Sequence, residues 1–139
     1  MDERYTEKVL DHFRRPRNVG ELEDADGVAL VGGDSCGDVL KVWINVQDDR
    51  IAAIRFQTTG CPAVIATSSM MTELAQGKTL DEAAEITDEV IAGALGGLPP
   101  DQMHCANMGA TVLYDAIMNH VFRTVEAERM KKEVQNAPV

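Results

Sequence analysis

A chain of 139 residues is long enough for one domain with its own core and too short for two, at roughly 100–200 residues per domain. Apolar residues make up 45% and charged residues 26%, a globular balance that excludes a disordered chain. Its 23 acidic against 13 basic side chains leave a formal charge of −10, which argues against a nucleic-acid partner, because phosphates call for a basic footprint.

The first predicted element is a helix from about Asp2 to Arg14, with Tyr5, Val9 and Phe13 on one stripe. Pro16 stops it. Glycines at 20, 27, 32 and 33 punctuate the next stretch, read as loops around a short strand near Val28–Val31. Residues 38–46 alternate, with Leu40, Val42, Ile44 and Val46 on one face, and predict a long strand. Asp48-Asp49-Arg50 is a turn, and residues 51–58 alternate again, which completes an antiparallel hairpin.

After Gly60 the period becomes helical. Pro62 suits a first helical position, where its missing N–H is no loss, and Gly77 can close the helix. Thr79-Leu80-Asp81-Glu82 is a capping-box pattern. A short helix follows over about Asp88–Leu95, then Gly96-Gly97 and the breaker Pro99-Pro100. Residues 101–134 predict one long C-terminal helix, with Met108, Val112, Ala116, Phe122 and Val125 as its buried stripe and a charged, solvated, fraying end over about 127–139. Strands first and helices afterwards imply an α+β fold: a small antiparallel sheet of about three strands packed against helices, in a single domain over 1–139.

No stretch approaches the roughly 20 apolar residues of a membrane span. The opening residues lack the basic and then apolar regions of a secretory signal. A cytoplasmic protein with reduced thiols is expected.

Three cysteines, Cys36, Cys61 and Cys105, cannot close entirely into internal disulfides. Each sits at a break in regular structure. Cys36 precedes the long strand, Cys61 lies where a strand hands over to a helix, and Cys105 follows Pro99-Pro100 at the start of the last helix. Buried structural cysteines are usually small fillers inside elements; three at junctions read instead as thiols presented to a common point. Asp38 is two residues after Cys36, and in extended chain such residues point to the same side. Cys61 is placed to cap its helix, where unpaired N–H groups favour a thiolate. His104 adjoins Cys105, but neighbours on a helix do not share a face. His12 and His120 lie in helical stretches without chemical companions. Three thiolates with a carboxylate or imidazole make a four-ligand set for zinc, Cu(I) or an iron–sulfur cluster. The wide spacings match no zinc-finger pattern and leave the metal open.

These segments together resemble the IscU/NifU family of iron–sulfur cluster assembly scaffolds. The likeness runs from about Tyr5 to His120. It is carried by residues 8–13 and 16–20, by Cys36-Gly37-Asp38, by Gly60-Cys61 with Ala66-Thr67-Ser68-Ser69, by residues 77–83, and by Leu98-Pro99-Pro100 with Met103-His104-Cys105 and Met108-Gly109. The last segment is closer to the N-terminal domain of NifU than to IscU. The resemblance implies a non-enzymatic scaffold on which a 2Fe–2S cluster is built from iron and desulfurase-derived sulfur, then passed to acceptor apoproteins. It implies Cys36, Asp38, Cys61 and Cys105 as cluster or metal ligands, His104 as an alternative ligand and Cys105 as the persulfide acceptor. It also implies zinc as an occupant of the isolated protein. The implied partners are a cysteine desulfurase, an iron or electron donor such as a frataxin-like protein or a ferredoxin, and a second copy around the cluster.

Departures from the family pattern carry weight. Pro62-Ala63 replaces the usual Gly-Ser after the second cysteine and stiffens that loop. Asp101-Gln102 stands where IscU presents Val-Lys to its DnaK-type chaperone, which counts against use of that chaperone. Ala110-Thr111 replaces an acidic pair, and the 139 residues hold none of the further cysteine-containing domains of NifU, as expected either of a standalone scaffold or of a fragment of a longer chain. Other readings are a zinc-bound sulfur acceptor of the SufU type, a structural zinc module and a cysteine hydrolase. The short interval before the third cysteine and the presence of His104 disfavour SufU. A hydrolase would leave Cys36 and Cys61 unexplained.

Overall fold

The computed structural model describes residues 3–32 and 37–136. In chain order it contains α1 (Glu7–Arg14), β1 (Gly27–Gly32), β2 (Val39–Gln47), β3 (Arg50–Thr59), α2 (Pro62–Ala75), α3 (Leu80–Ala84), α4 (Asp88–Ala94) and α5 (Met103–Asn136), with a 3₁₀ turn at Pro100–Gln102. The three strands form an antiparallel sheet in the order β1-β2-β3, and α2 and α5 pack on it. The α+β fold expected from the order of strands and helices is the one observed.

The hairpin turn is built by Asp48 and Asp49, both left-handed at φ 53° and 61°. That conformation matches the twist of the flanking strands, and Asp tolerates it better than most residues. Leu40, Val42 and Ile44 of β2 face the core with Ile51, Ile54 and Phe56 of β3. Ile51 and Ile54 are three apart, so strict alternation cannot bury both. The register shift between Asn45 and Val46 resolves this: Asn45 pairs Ala53 while Val46 pairs Ile51, leaving Ala52 as the extra residue of a β-bulge. On the opposite face the Lys41 ammonium sits 4.8 Å above the Trp43 ring, a cation–π contact.

Helix α1 begins five residues later than the apolar stripe predicts. The Thr6 hydroxyl accepts the Val9 N–H and caps the helix. It also donates to the Leu95 carbonyl, which ties the start of α1 to the end of α4. Asn18 to Gly20, read from sequence as loop, run parallel beside β3: Gly20 N–H donates to the Phe56 carbonyl and Phe56 N–H to that of Asn18, both at 2.9 Å. The Thr79 capping box closes α3 with both of its hydrogen bonds.

Helix α2 is buried on nearly every side, Thr67, Ser68, Ser69 and Thr72 included. A helix enclosed in this way is normally apolar all round. Here small hydroxyl residues let α1, α4 and α5 approach closely, and most satisfy themselves within the core. Thr72 donates to the Ser69 carbonyl at 2.7 Å, and the Asn18 amide donates to Thr72 at 3.0 Å.

Helix α5 buries Cys105, Ala106, Gly109, Val112, Leu113, Ala116 and Ile117, a continuous i, i+3/i+4 stripe. Its contact with β1 is close enough that a side chain at Gly27 would collide with the Ala116 carbonyl, 2.3 Å from the place of a Cβ. The predicted extension of the stripe to Phe122 and Val125 is not observed: both are exposed. Six residues separate Ala116 from Phe122, which turns Phe122 away from the sheet. The inner face past Ile117 is polar, and Arg123 there donates to the Ala25 carbonyl at 3.1 Å. Residues 127–136 continue as helix, with exposed side chains over 127–135. Among the described residues no helix is long and apolar enough to cross a membrane.

Candidate metal centre

Three donors converge where the open end of the hairpin meets the starts of α2 and α5. Asp38 precedes β2, Cys61 is the N-cap of α2, and Cys105 is on the first turn of α5. One ligand atom from each lies within 4.8 Å of the other two. The two sulfurs are 3.9 Å apart, too far for a disulfide. The distance is close to the roughly 3.8 Å spanned by two thiolates each about 2.3 Å from one tetrahedral ion. Cys36, the remaining sequence-predicted ligand, lies outside the described residues.

Each donor is held by its element. Pro62 at the first helical position fixes where α2 starts. Cys61 uses its carbonyl, not its thiol, within the helix: Val64 N–H donates to it at 3.0 Å, and no side-chain cap bond forms. The thiol is therefore left for a ligand. Gly60 opens the space for the carboxylate, since a Cβ there would lie 3.0 Å from Asp38 Oδ1 and 3.2 Å from its Cγ. Cys105 is fully buried against Ala63 and Val64, with Cys61 and Met108 at the margin. Its carbonyl accepts the Thr67 hydroxyl at 3.3 Å, and that bond sets the first turn of α5 against the middle of α2.

His104 is exposed, yet its Nε2 lies 3.5 Å from the Cys105 sulfur. It is outside the convergent group of Asp38, Cys61 and Cys105. Sequence spacing along a helix disfavours this contact. The long imidazole reaches back to its neighbour's sulfur even though the two Cβ atoms point apart. Thr67 and Gly60 are site residues that pattern reasoning did not single out for a role. Their signals were a run of small hydroxyl residues in a buried helix and a glycine immediately before a helix-capping cysteine.

Asp101 and Gln102, which depart from the family pattern, are pinned to the N-terminal segment. Arg4 forms a two-pronged ion pair with the Asp101 carboxylate at 2.8 and 3.3 Å, and the Tyr5 hydroxyl donates to Gln102 Oε1.

His12 and His120 stay away from the thiols. His12 is buried, with Nδ1 2.7 Å from the Ser69 hydroxyl and Nε2 3.6 Å from the Glu73 carboxylate. Burial pushes its pKa down, and the Arg17 guanidinium adds to that; Glu73 and Asp11 oppose it.

Comparison with known proteins shows the family of the chain. The pattern of the NifU-like N-terminal domain matches residues 4–127. The chain belongs to the NifU-like N-terminal domain family. The chain is 52% identical over 128 residues to the iron–sulfur cluster assembly scaffold protein IscU 1 of Archaeoglobus fulgidus, covering 92% of this chain and 84% of that one. It is 44% identical over 134 residues to the IscU scaffold of Aquifex aeolicus, covering 95% and 85%. A crystal structure described as an iron–sulfur cluster assembly scaffold for the SUF system, from Fervidobacterium islandicum, superposes with a TM-score of 0.68. It is 25% identical over 81% of this chain and 96% of that one. The IscU/NifU resemblance read from the cysteine segments is thus the family to which this chain belongs.

Proposed function

We propose that the protein is a scaffold on which an iron–sulfur cluster is assembled and from which it is handed to acceptor proteins. The observation that carries this reading is the convergence of Asp38, Cys61 and Cys105 within 4.8 Å in a chain of the scaffold family. The cluster is cargo, not a resident cofactor, and the donor set suits cargo. Clusters that are kept are held by four thiolates. A carboxylate is a harder, weaker partner for iron, so the Asp38 corner is the one that opens on transfer. With Cys36 as the remaining thiolate, the set holds a 2Fe–2S cluster, and the same donors hold zinc when iron is absent.

Sulfur arrives from a cysteine desulfurase. The Cys105 thiolate attacks the outer sulfur of the donor's persulfide. The donor's S–S bond breaks, a new one forms on Cys105, and the donor's thiolate leaves. His104 Nε2, 3.5 Å away, is placed to take the Cys105 proton before the attack. Cys105 is fully enclosed, whereas Cys61 is half-buried, so delivery entails opening the mouth of the site. Iron and electrons come from donors of the frataxin-like and ferredoxin kinds. A DnaK-type chaperone is not expected to grip the Leu98–Gln102 segment, which carries no lysine and is held down by Arg4 and Tyr5.

Anaerobic incubation of chelator-stripped protein with ferrous iron, cysteine and a cysteine desulfurase tests the reading. The expected result is 2Fe–2S absorption with stoichiometric acid-labile sulfide, abolished in Cys61→Ser. Zinc uptake and persulfide on Cys105 without cluster would establish instead a sulfur acceptor of the SufU type. A normal cluster in Cys61→Ser would refute the ligand assignment.

A further inference from the structure

The middle of α5 presents an apolar stripe that the fold leaves uncovered. Tyr114, Met118, Val121, Phe122 and Val125 are all exposed, Phe122 by 73% and Val125 by 59%. Tyr114, Met118, Val121 and Val125 follow one another at spacings of four, three and four, which is the seam of a coiled coil. Phe122 borders the seam. The face turned toward the body is a different one, carrying Ala116, Ile117 and Arg123.

We propose that this stripe pairs with the same stripe of a second copy, as an antiparallel two-helix contact about a two-fold axis at the level of Asn119 and His120. The charges select this occupant and this direction. When Met118 faces Val121 of the second copy, and Tyr114 faces Val125, the bordering positions place Phe122 beside Phe122 and Asp115 opposite Arg129. Asp115 and Arg129 are exposed, so each copy offers one acidic and one basic end, and a two-fold axis makes two opposite-charge pairs. Parallel pairing would continue the seam into Glu128 facing Glu128 and Lys132 facing Lys132, which repel. In the antiparallel register Glu128 and Lys132 face Thr111 and Asn107 instead, both exposed and uncharged.

Arg129 is at present bonded to Glu126 and Glu133 of its own helix. Exposed intrahelical pairs of this kind contribute little, so they compete weakly with an intermolecular partner. Phe122 is 17 residues beyond Cys105, about 26 Å along the helix axis. The centre of the contact is therefore well away from the thiols, and only the Lys132 end of the second copy's helix reaches the first turns of α5.

Sedimentation velocity on the metal-free, chelator-treated chain, from low to high micromolar concentration, tests the pairing. A monomer–dimer equilibrium is expected. Phe122→Asp should abolish it, with circular dichroism and thermal unfolding unchanged. Asp115→Arg and Arg129→Asp should each weaken it about tenfold, and the double exchange should restore it. In the Phe122→Cys protein a short bismaleimide should crosslink residue 122 of one copy to residue 122 of the other, identified by peptide mapping. A chain that stays monomeric throughout, a dimer that survives Phe122→Asp, or a double exchange no better than the single ones would overturn the proposal.

Discussion

Asp38 and Gly60 act as a unit. A Cβ at position 60 would press on the Asp38 carboxylate, 3.0 Å from its Oδ1. Two predictions follow from that contact. Asp38→Ala removes the oxygen corner and should lengthen the lifetime of an assembled cluster severalfold, measured as decay of visible absorbance; equal or faster decay would be inconsistent with a labile carboxylate. Gly60→Ala keeps the carboxylate but forces it aside by a few tenths of an ångström. It should shift cluster decay in the same direction as Asp38→Ala with at most a small drop in the thermal unfolding midpoint, because the added methyl also presses on the buried Val64 Cβ, 3.3 Å away. A Gly60→Ala protein with wild-type decay would show that the contact does not position the ligand.

At the scale of elements, α1 is docked to α2 through a polar cluster inside the core. The Ser69 hydroxyl accepts the Arg17 N–H at 2.9 Å and is hydrogen-bonded to His12 Nδ1 at 2.7 Å, while His12 Nε2 faces Glu73. The buried ring resists charging. Its pKa in the folded protein lies below 6.5, the ordinary value it regains on unfolding. The unfolded chain therefore binds more protons between those two values. The stabilisation is fully present above 6.5 and declines as pH falls through the folded pKa. Denaturant midpoints of the wild type should drop between about pH 7.5 and 5.5 more steeply than those of His12→Gln, which cannot titrate there. Parallel slopes would show that protonation of His12 is not coupled to unfolding. Nothing in the spacing of α1 announces this: His12 and Ser69 are 57 residues apart, and only the packing of α1 on α2 pairs them.

At the scale of the molecule, the strand–helix order, the hairpin, the capping box and the long last helix were all legible, because period, turn residues and caps act over a few residues. The donors at chain breaks were legible too, and Asp38, Cys61 and Cys105 lie together in the structure. What spacing could not supply was distance. Cys61 and Cys105 are 44 residues apart in the chain and 3.9 Å apart in space, an approach set by α2 and α5 lying side by side and by the Thr67 bond to the Cys105 carbonyl. The same limit applies to α5. Its helicity follows from local sequence, but which of its apolar residues are covered depends on where the sheet ends, so Ile117 is buried and Phe122 is not. Composition, charge and local period determined the elements and the donor atoms by themselves. Only tertiary packing decided which donors meet, which histidine is enclosed and which face of the last helix is left open, because those depend on contacts between segments that are remote along the chain.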